Sequence, residues 1–92
     1  MVYLITKLKI ENFDKWKHVF DERAITRKEA GSKKALLFRN LDDSTEAEIL
    51  FEWDNKENAQ AYMESDIVKK VLNNASAKLT DTVYLDKIEK TT

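Results

Sequence analysis

The chain has no cysteine and a single histidine among its 92 residues. That excludes disulfides, thiolate nucleophiles and cysteine-bound metals, and it leaves His18 without the further ligands a metal site needs. The one glycine, Gly31, leaves no glycine-rich phosphate loop. No apolar run nears the roughly 20 residues of a membrane span. The opening stretch MVYLITKLKI alternates lysine with apolar residues and lacks the uninterrupted core of a signal peptide. A cytoplasmic protein without membrane contact is the expectation. Net charge is −1, which argues against nucleic acid as a partner, although residues 1–40 carry +5 and residues 41–92 carry −6. Two halves of opposite sign that interleave in space neutralise each other, so the basic half calls for no polyanion.

A chain this short is expected to form one domain, 1–92, with a thin core, since it buries only about 60–65% of its unfolded surface. Within it the periodicities are clear. Val2, Leu4, Leu8 and Ile10 alternate with Tyr3, Ile5, Lys7 and Lys9, which predicts a strand over 2–10. Asn12 as N-cap, Asp14 in the first turn, Arg27 and Lys28 near the end and Gly31 just beyond predict a helix over 13–30. Strands follow at 35–39 and 49–53, joined by the polar loop NLDDSTEA, which has neither glycine nor proline, so a longer hairpin connection fits better than a two-residue primed turn. Asp54 with Glu57 resembles a capping box opening a second helix with Ala59, Tyr62 and Met63 inside. Ser65 recaps it, and Ile67, Val68, Val71 and Leu72 pack inward to about residue 74. A last strand is expected over 82–88, then a frayed tail, 89–92.

The order β-α-β-β-α-β, with right-handed crossovers, gives an α+β ferredoxin-like fold: a four-stranded antiparallel sheet with its helices on one face. Strand 1 then lies between the third and fourth, which stitches the basic half to the acidic one. The strands are apolar on both faces: Leu36 and Phe38 oppose Ala35 and Leu37, and Leu50 opposes Ile49, Phe51 and Trp53. A sheet with one wet face alternates cleanly. Two apolar faces therefore predict a homodimer through the sheet faces, C2 pairs being the commonest assembly.

The ordered set Phe13-x-x-Trp16-x-x-x-Phe20-x-x-Arg23, Gly31, Arg39-Asn40-x-Asp42-Asp43 and Phe51-Glu52-Trp53-Asp54-Asn55-x-Glu57-x-Ala59-x-x-Tyr62-x-x-Ser65 resembles the antibiotic-biosynthesis-monooxygenase-like domains of the dimeric α/β-barrel superfamily. The likeness runs over about residues 1–88. It implies two protomers whose sheets face each other as a barrel, and a helix–sheet cavity where relatives bind aromatic or polyketide-like molecules, quinols or haem. Ser44-Thr45 stands where this subgroup often has a proline, and Ala77-Lys78 where it often has Gly-Val. The haem-degrading members ligate iron through a histidine on the second helix. None is present here, so that chemistry is not implied.

At about 100° per residue, helix 1 sets Phe13, Trp16, Phe20, Ala24 and Arg27 in one arc, with Arg23 at its margin. His18 faces away, among Asp14, Asp21 and Glu22, as a solvated imidazole. A guanidinium near an apolar face must be paired or border a polar cavity. Arg23 and Arg27 therefore pair with Glu52, Asp54 or a partner-chain carboxylate, or else hold an anionic or enolate-like ligand. Arg39 carries the same two options, so Arg23 and Arg39 are the candidate catalytic residues. Trp16, Phe20, Phe38, Phe51, Trp53 and Tyr62 are core aromatics or the lining of a ligand cavity, with Arg23 at its mouth. The loop 42–46 lacks the order of a calcium loop and reads as a solvated hairpin. No metal and no cofactor is called for. The functional expectation is a homodimer that binds an aromatic small molecule, acting as a cofactor-independent monooxygenase, as a non-enzymatic metabolite binder or sensor, or as a ligand-free assembly module.

Overall fold

The computed structural model describes residues 1–92. Its elements are β1 (Val2–Ile10), α1 (Phe13–Glu22), α2 (Ala24–Ala30), β2 (Ser32–Arg39), β3 (Glu46–Trp53), α3 (Lys56–Met63), α4 (Asp66–Asn74) and β4 (Ala77–Leu85). The strands form one antiparallel sheet in the order β2-β3-β1-β4. This is the expected ferredoxin-like arrangement, with each helical layer divided in two. No helix is long and apolar enough to cross a membrane.

Several boundaries differ from the sequence expectation, three of them for a physical reason that the contacts show. The first helix does not run unbroken over 13–30. At Arg23 (φ −99°, ψ 7°) it splits into α1 and α2. The Phe20 carbonyl accepts from the Arg23 N–H at 3.2 Å and from the Arg27 guanidinium at 2.7 Å. A side chain thus ends α1 where no glycine or proline does, and Ala24, expected inside, turns out to solvent. The last strand is 77–85, not 82–88, because Tyr3 near the start of β1 pairs with Leu85 and leaves no partner beyond it. The second helical layer is capped by Asn55 rather than Asp54: Asn55 Oδ1 accepts the Asn58 N–H at 2.8 Å. Asp54 instead accepts from the Asn55 N–H (2.7 Å) and Asn58 Nδ2 (3.0 Å). Strands β2 and β3 also extend beyond 35–39 and 49–53 at their N-terminal ends.

Leu4, Leu8, Ile10, Ile49, Phe51 and Trp53 turn from the sheet toward Trp16, Phe20, Ala59 and Tyr62 of the helices. An aromatic chain runs through this layer: Trp16 stacks on Phe20 at 5.1 Å, Phe20 meets Phe51 at 6.2 Å, Phe51 meets Trp53 at 6.4 Å, and Trp53 meets Tyr62 at 5.4 Å. The opposite sheet face carries Tyr3, Ile5, Leu36, Phe38, Leu50, Val83 and Leu85, with Phe38 52% exposed. The two oppositely charged halves meet inside the sheet, where Lys7 lies 3.6 Å from Glu48, and Lys9 lies 3.1 Å from Asp43 and 3.7 Å from Glu46. The β2–β3 loop is a built turn: Asn40 Oδ1 accepts from the Asp42 and Asp43 N–H groups, and Asp43 accepts from Thr45.

A cavity between helices and sheet

Between the helical layer and the sheet lies a cleft of about 50 Å³. Trp16, Phe20, Arg23 and Arg27 come to it from α1, the break and α2; Thr6 and Leu8 come from β1; Ile49 and Phe51 from β3; Leu79 from β4. Tyr62 and Met63 of α3 and Val68, Val71 and Leu72 of α4 close it. Ile67, also expected to pack inward, is partly exposed instead. The local logic is simple. Alternation along β1 and β3 sends every second side chain inward, β4 turns Leu79 inward beyond a slip in its register, and the amphipathic stripes of α1 and α4 supply the roof.

Of the residues singled out in the sequence, Trp16, Phe20, Arg23, Phe51 and Tyr62 line the cleft. The other three do not. Trp53 is fully buried in the core beyond it, paired in register with Val2 and Ser32. Phe38 lies on the open sheet face, because its place in β2 is opposite in parity to Ala35 and Leu37. Arg39 ends β2 with its guanidinium 3.8 Å over the Phe13 ring, a cation–π contact away from the cleft. His18 is exposed, with Nε2 2.6 Å from Glu22 Oε1.

The arginines do not pair as expected with Glu52 or Asp54. The chain's ion pairs involve Lys7, Lys9, Lys17, His18 and Lys69, and neither Arg23 nor Arg27 takes part. Arg23 is exposed at the rim of the cleft. Arg27 is only 7% exposed, bonded to the Phe20 carbonyl and lying 3.6 Å over the Phe20 ring. Burial lowers the Arg27 pKa below its ordinary value, an effect opposed by the Tyr62 hydroxyl beside it and more weakly by Asp21. Burial likewise raises the Tyr62 phenol above 10.0, against the pull of Arg27. Arginine remains protonated at neutral pH regardless, so the cleft holds a fixed positive charge beside a neutral phenol.

Two lining residues, Thr6 and Leu79, were not singled out in the sequence; Leu79 lies outside the strand expected over 82–88, and Thr6 is the polar one. It is 1% exposed, and its Oγ1 has no hydrogen-bond partner. The signal was present: a lone polar residue between Leu4 and Leu8 on the inward parity of β1. Thr82, its register partner on β4, has an unpartnered hydroxyl as well.

No protein-family model matches this chain, and no curated protein matches it in sequence. Solved structures do match in fold. A Deinococcus radiodurans protein assigned as an antibiotic biosynthesis monooxygenase superposes with a TM-score of 0.69 at 17% identity, covering 100% of this chain and 97% of that one. SnoaB, a cofactor-independent oxygenase from Streptomyces nogalater, gives a TM-score of 0.77 at 10% identity, covering 97% of this chain and 94% of its own. A dimeric ferredoxin-like protein from an uncultured marine organism gives 0.63 at 17% identity, covering 98% and 97%. The fold is therefore that of the antibiotic-biosynthesis-monooxygenase structures. Identities this low establish the architecture and leave activity to the site.

Proposed function

We propose that the chain forms a homodimer through its open sheet faces and binds a hydrophobic or aromatic small molecule in the helix–sheet cavity of each protomer. The observation that carries this reading is the lining: apolar side chains on every wall, two arginines, and neither a carboxylate nor an imidazole among them. Such a site excludes water, orients a flat molecule against Trp16 and Phe20, and stabilises negative charge. It lacks the positioned acid and base of a hydrolase. The catalysis it suits best is cofactor-independent oxygenation, the activity named for SnoaB. In such chemistry a substrate that enters as its anion adds O2, the hydroperoxide formed takes up a proton and eliminates water to leave the oxidised product, and the protein has only to dehydrate, orient and stabilise charge.

The size of the cleft bears equally on an enzyme and on a plain binder. The cleft of about 50 Å³ is a third of the ~150 Å³ that holds one benzene. An aromatic ring therefore needs the cleft to widen, and α4, which has no fully buried residue, is the wall least held by the core. The dimer rests on Tyr3, Ile5, Leu36, Phe38, Leu50, Val83 and Leu85, a two-sided apolar sheet that monomers rarely leave open, and on the dimeric state named for the marine neighbour.

Sedimentation at micromolar concentration tests the assembly, and a clean monomer removes the barrel. Oxygen uptake with quinol and anthrone-type substrates tests the chemistry. Saturable binding without uptake identifies a binder or sensor, and the absence of both leaves only an assembly role.

A further inference from the structure

We propose that the cleft is an anion site, in which the buried Arg27 and the unpartnered Thr6 hydroxyl hold the carboxylate of a compact organic acid whose apolar body lies against Phe20, Phe51 and Val71. This rests on the reading of the cleft as a ligand cavity and adds the chemical class of its ligand.

Three observations converge. A guanidinium carries several N–H donors in a rigid fork that matches a carboxylate. Arg27, at 7% exposure, gives one of them to the Phe20 carbonyl, lies beside the Tyr62 hydroxyl, and forms no ion pair with a carboxylate of its own chain, Asp21 acting on it only weakly. Next, Thr6 Oγ1 lines the same cleft, is cut off from water and bonds to nothing. A buried charge without a counter-ion and a buried hydroxyl without a partner are both costly, and native proteins keep few of either. Lastly, no acidic side chain lines the cleft, while Arg23 adds a second positive charge at its rim. One anion satisfies all three groups together. The remaining lining is apolar, which selects an acid with an apolar body over an inorganic ion. The volume of about 50 Å³ selects a short one, and a planar acid such as benzoate needs the cleft to widen.

The test is an NMR titration of the full chain, following the Trp16 indole and arginine side-chain N–H signals. The probes are isobutyrate and benzoate, set against their neutral isosteres isobutyramide and benzamide, with chloride as the inorganic control. The acids should bind about 10-fold or more tightly than the amides, the preference expected of a charge-assisted pair over a neutral one. Chloride should not compete at equal concentration. Arg27→Gln should abolish the preference, and Arg23→Gln should reduce it severalfold. Because Arg27 also ends α1, its variant is paired with Thr6→Val, which keeps shape and fold. Thr6→Val should raise Tm while weakening acid binding severalfold, a combination that a purely structural threonine would not give. Equal affinity for acids and amides overturns the anion site and leaves the ligand cavity standing. A more stable Thr6→Val protein with unchanged acid affinity overturns the role of Thr6. No binding of any acid at millimolar concentration overturns the proposal, and neutral aromatics that still bind then preserve the broader reading.

Discussion

Replacing Gly31 by alanine tests the junction that seats Arg27. Gly31 ends α2 at φ +127° and ψ 1°, a conformation costing a residue with a Cβ about 1–2 kcal/mol. The Gly31 carbonyl also accepts the Asp54 N–H at 3.0 Å, which draws the end of α2 onto the start of α3. A Cβ there would lie 2.8 Å from Asp54 Cγ and Oδ2, and closer still to Oδ1, so the carboxylate has to move. That carboxylate holds the Asn55 N–H and Asn58 Nδ2, two bonds worth about 1 kcal/mol each. Gly31→Ala should therefore cost about 2–4 kcal/mol by urea denaturation, a large share of the roughly 5–14 kcal/mol a chain of this length has. In an Asp54→Ala background the steric part is gone, and the same substitution should cost only the backbone part, about 1–2 kcal/mol. A cost below about 0.5 kcal/mol, or equal costs in the two backgrounds, would refute the account.

Leu50→Lys places an ammonium in the middle of the open sheet face. Buried between two sheets, it should weaken self-association well beyond 10-fold by sedimentation while leaving monomer secondary structure intact, and an unchanged sedimentation profile refutes the sheet-face dimer. Asp43 is held at about 2, against an ordinary 3.8, by the Thr45 hydroxyl and N–H and then by Lys9. A depressed folded pKa means its stabilisation is present above 3.8 and lost as pH falls toward 2, so Asp43→Asn should flatten the fall of Tm across that window. An equally steep fall in the variant would exclude the loop clamp. Tyr62 shows the opposite sign: its raised pKa makes stability decline as pH climbs above 10.0, and Tyr62→Phe should lessen that decline in alkaline melts.

The order of elements and the strand pairing were readable because two periods, 2 and 3.6, alternate cleanly along the chain. What was not readable depended on contacts between residues distant in space or on irregular backbone. The break at Arg23 has no local breaker; it exists because the Arg27 side chain takes a carbonyl that a continuous helix would give to Ala24. The first part of β4, 77–81, escaped because the register slips opposite Lys7 and Leu8, so Leu79 and Thr82, both inward, are three apart rather than two. The same split runs through the site. Trp16, Phe20, Phe51 and Tyr62 were visible from their faces alone. Trp53 has the right face but the wrong end of its strand, since β3 reaches the cleft through Ile49 and Phe51. Phe38 belongs to the other face, where its apolar character speaks for a partner sheet. Thr6 was overlooked because a threonine is an ordinary strand residue until its hydroxyl proves to have no partner.

In the proposed anion site Arg27 would have two tasks, and their coupling separates it from Arg23. By capping the Phe20 carbonyl and lying on the Phe20 ring, it holds one geometry before any ligand arrives, so an anion need not freeze a long side chain. Arg23 is exposed and unpaired, so its charge is screened and its rotamers are free. Lysine at position 27 should part the two tasks. An ammonium keeps the charge but is a point donor, unable to cap the carbonyl, stack on the ring and grip two carboxylate oxygens together. Arg27→Lys should therefore retain the fold with a loss of about 1.5–3 kcal/mol, the range for a charged hydrogen bond. It should also lose most of the discrimination between acid and amide, while Arg23→Lys loses almost none. Equal losses from the two lysine variants would mean that charge alone, not a pre-set guanidinium fork, governs the site.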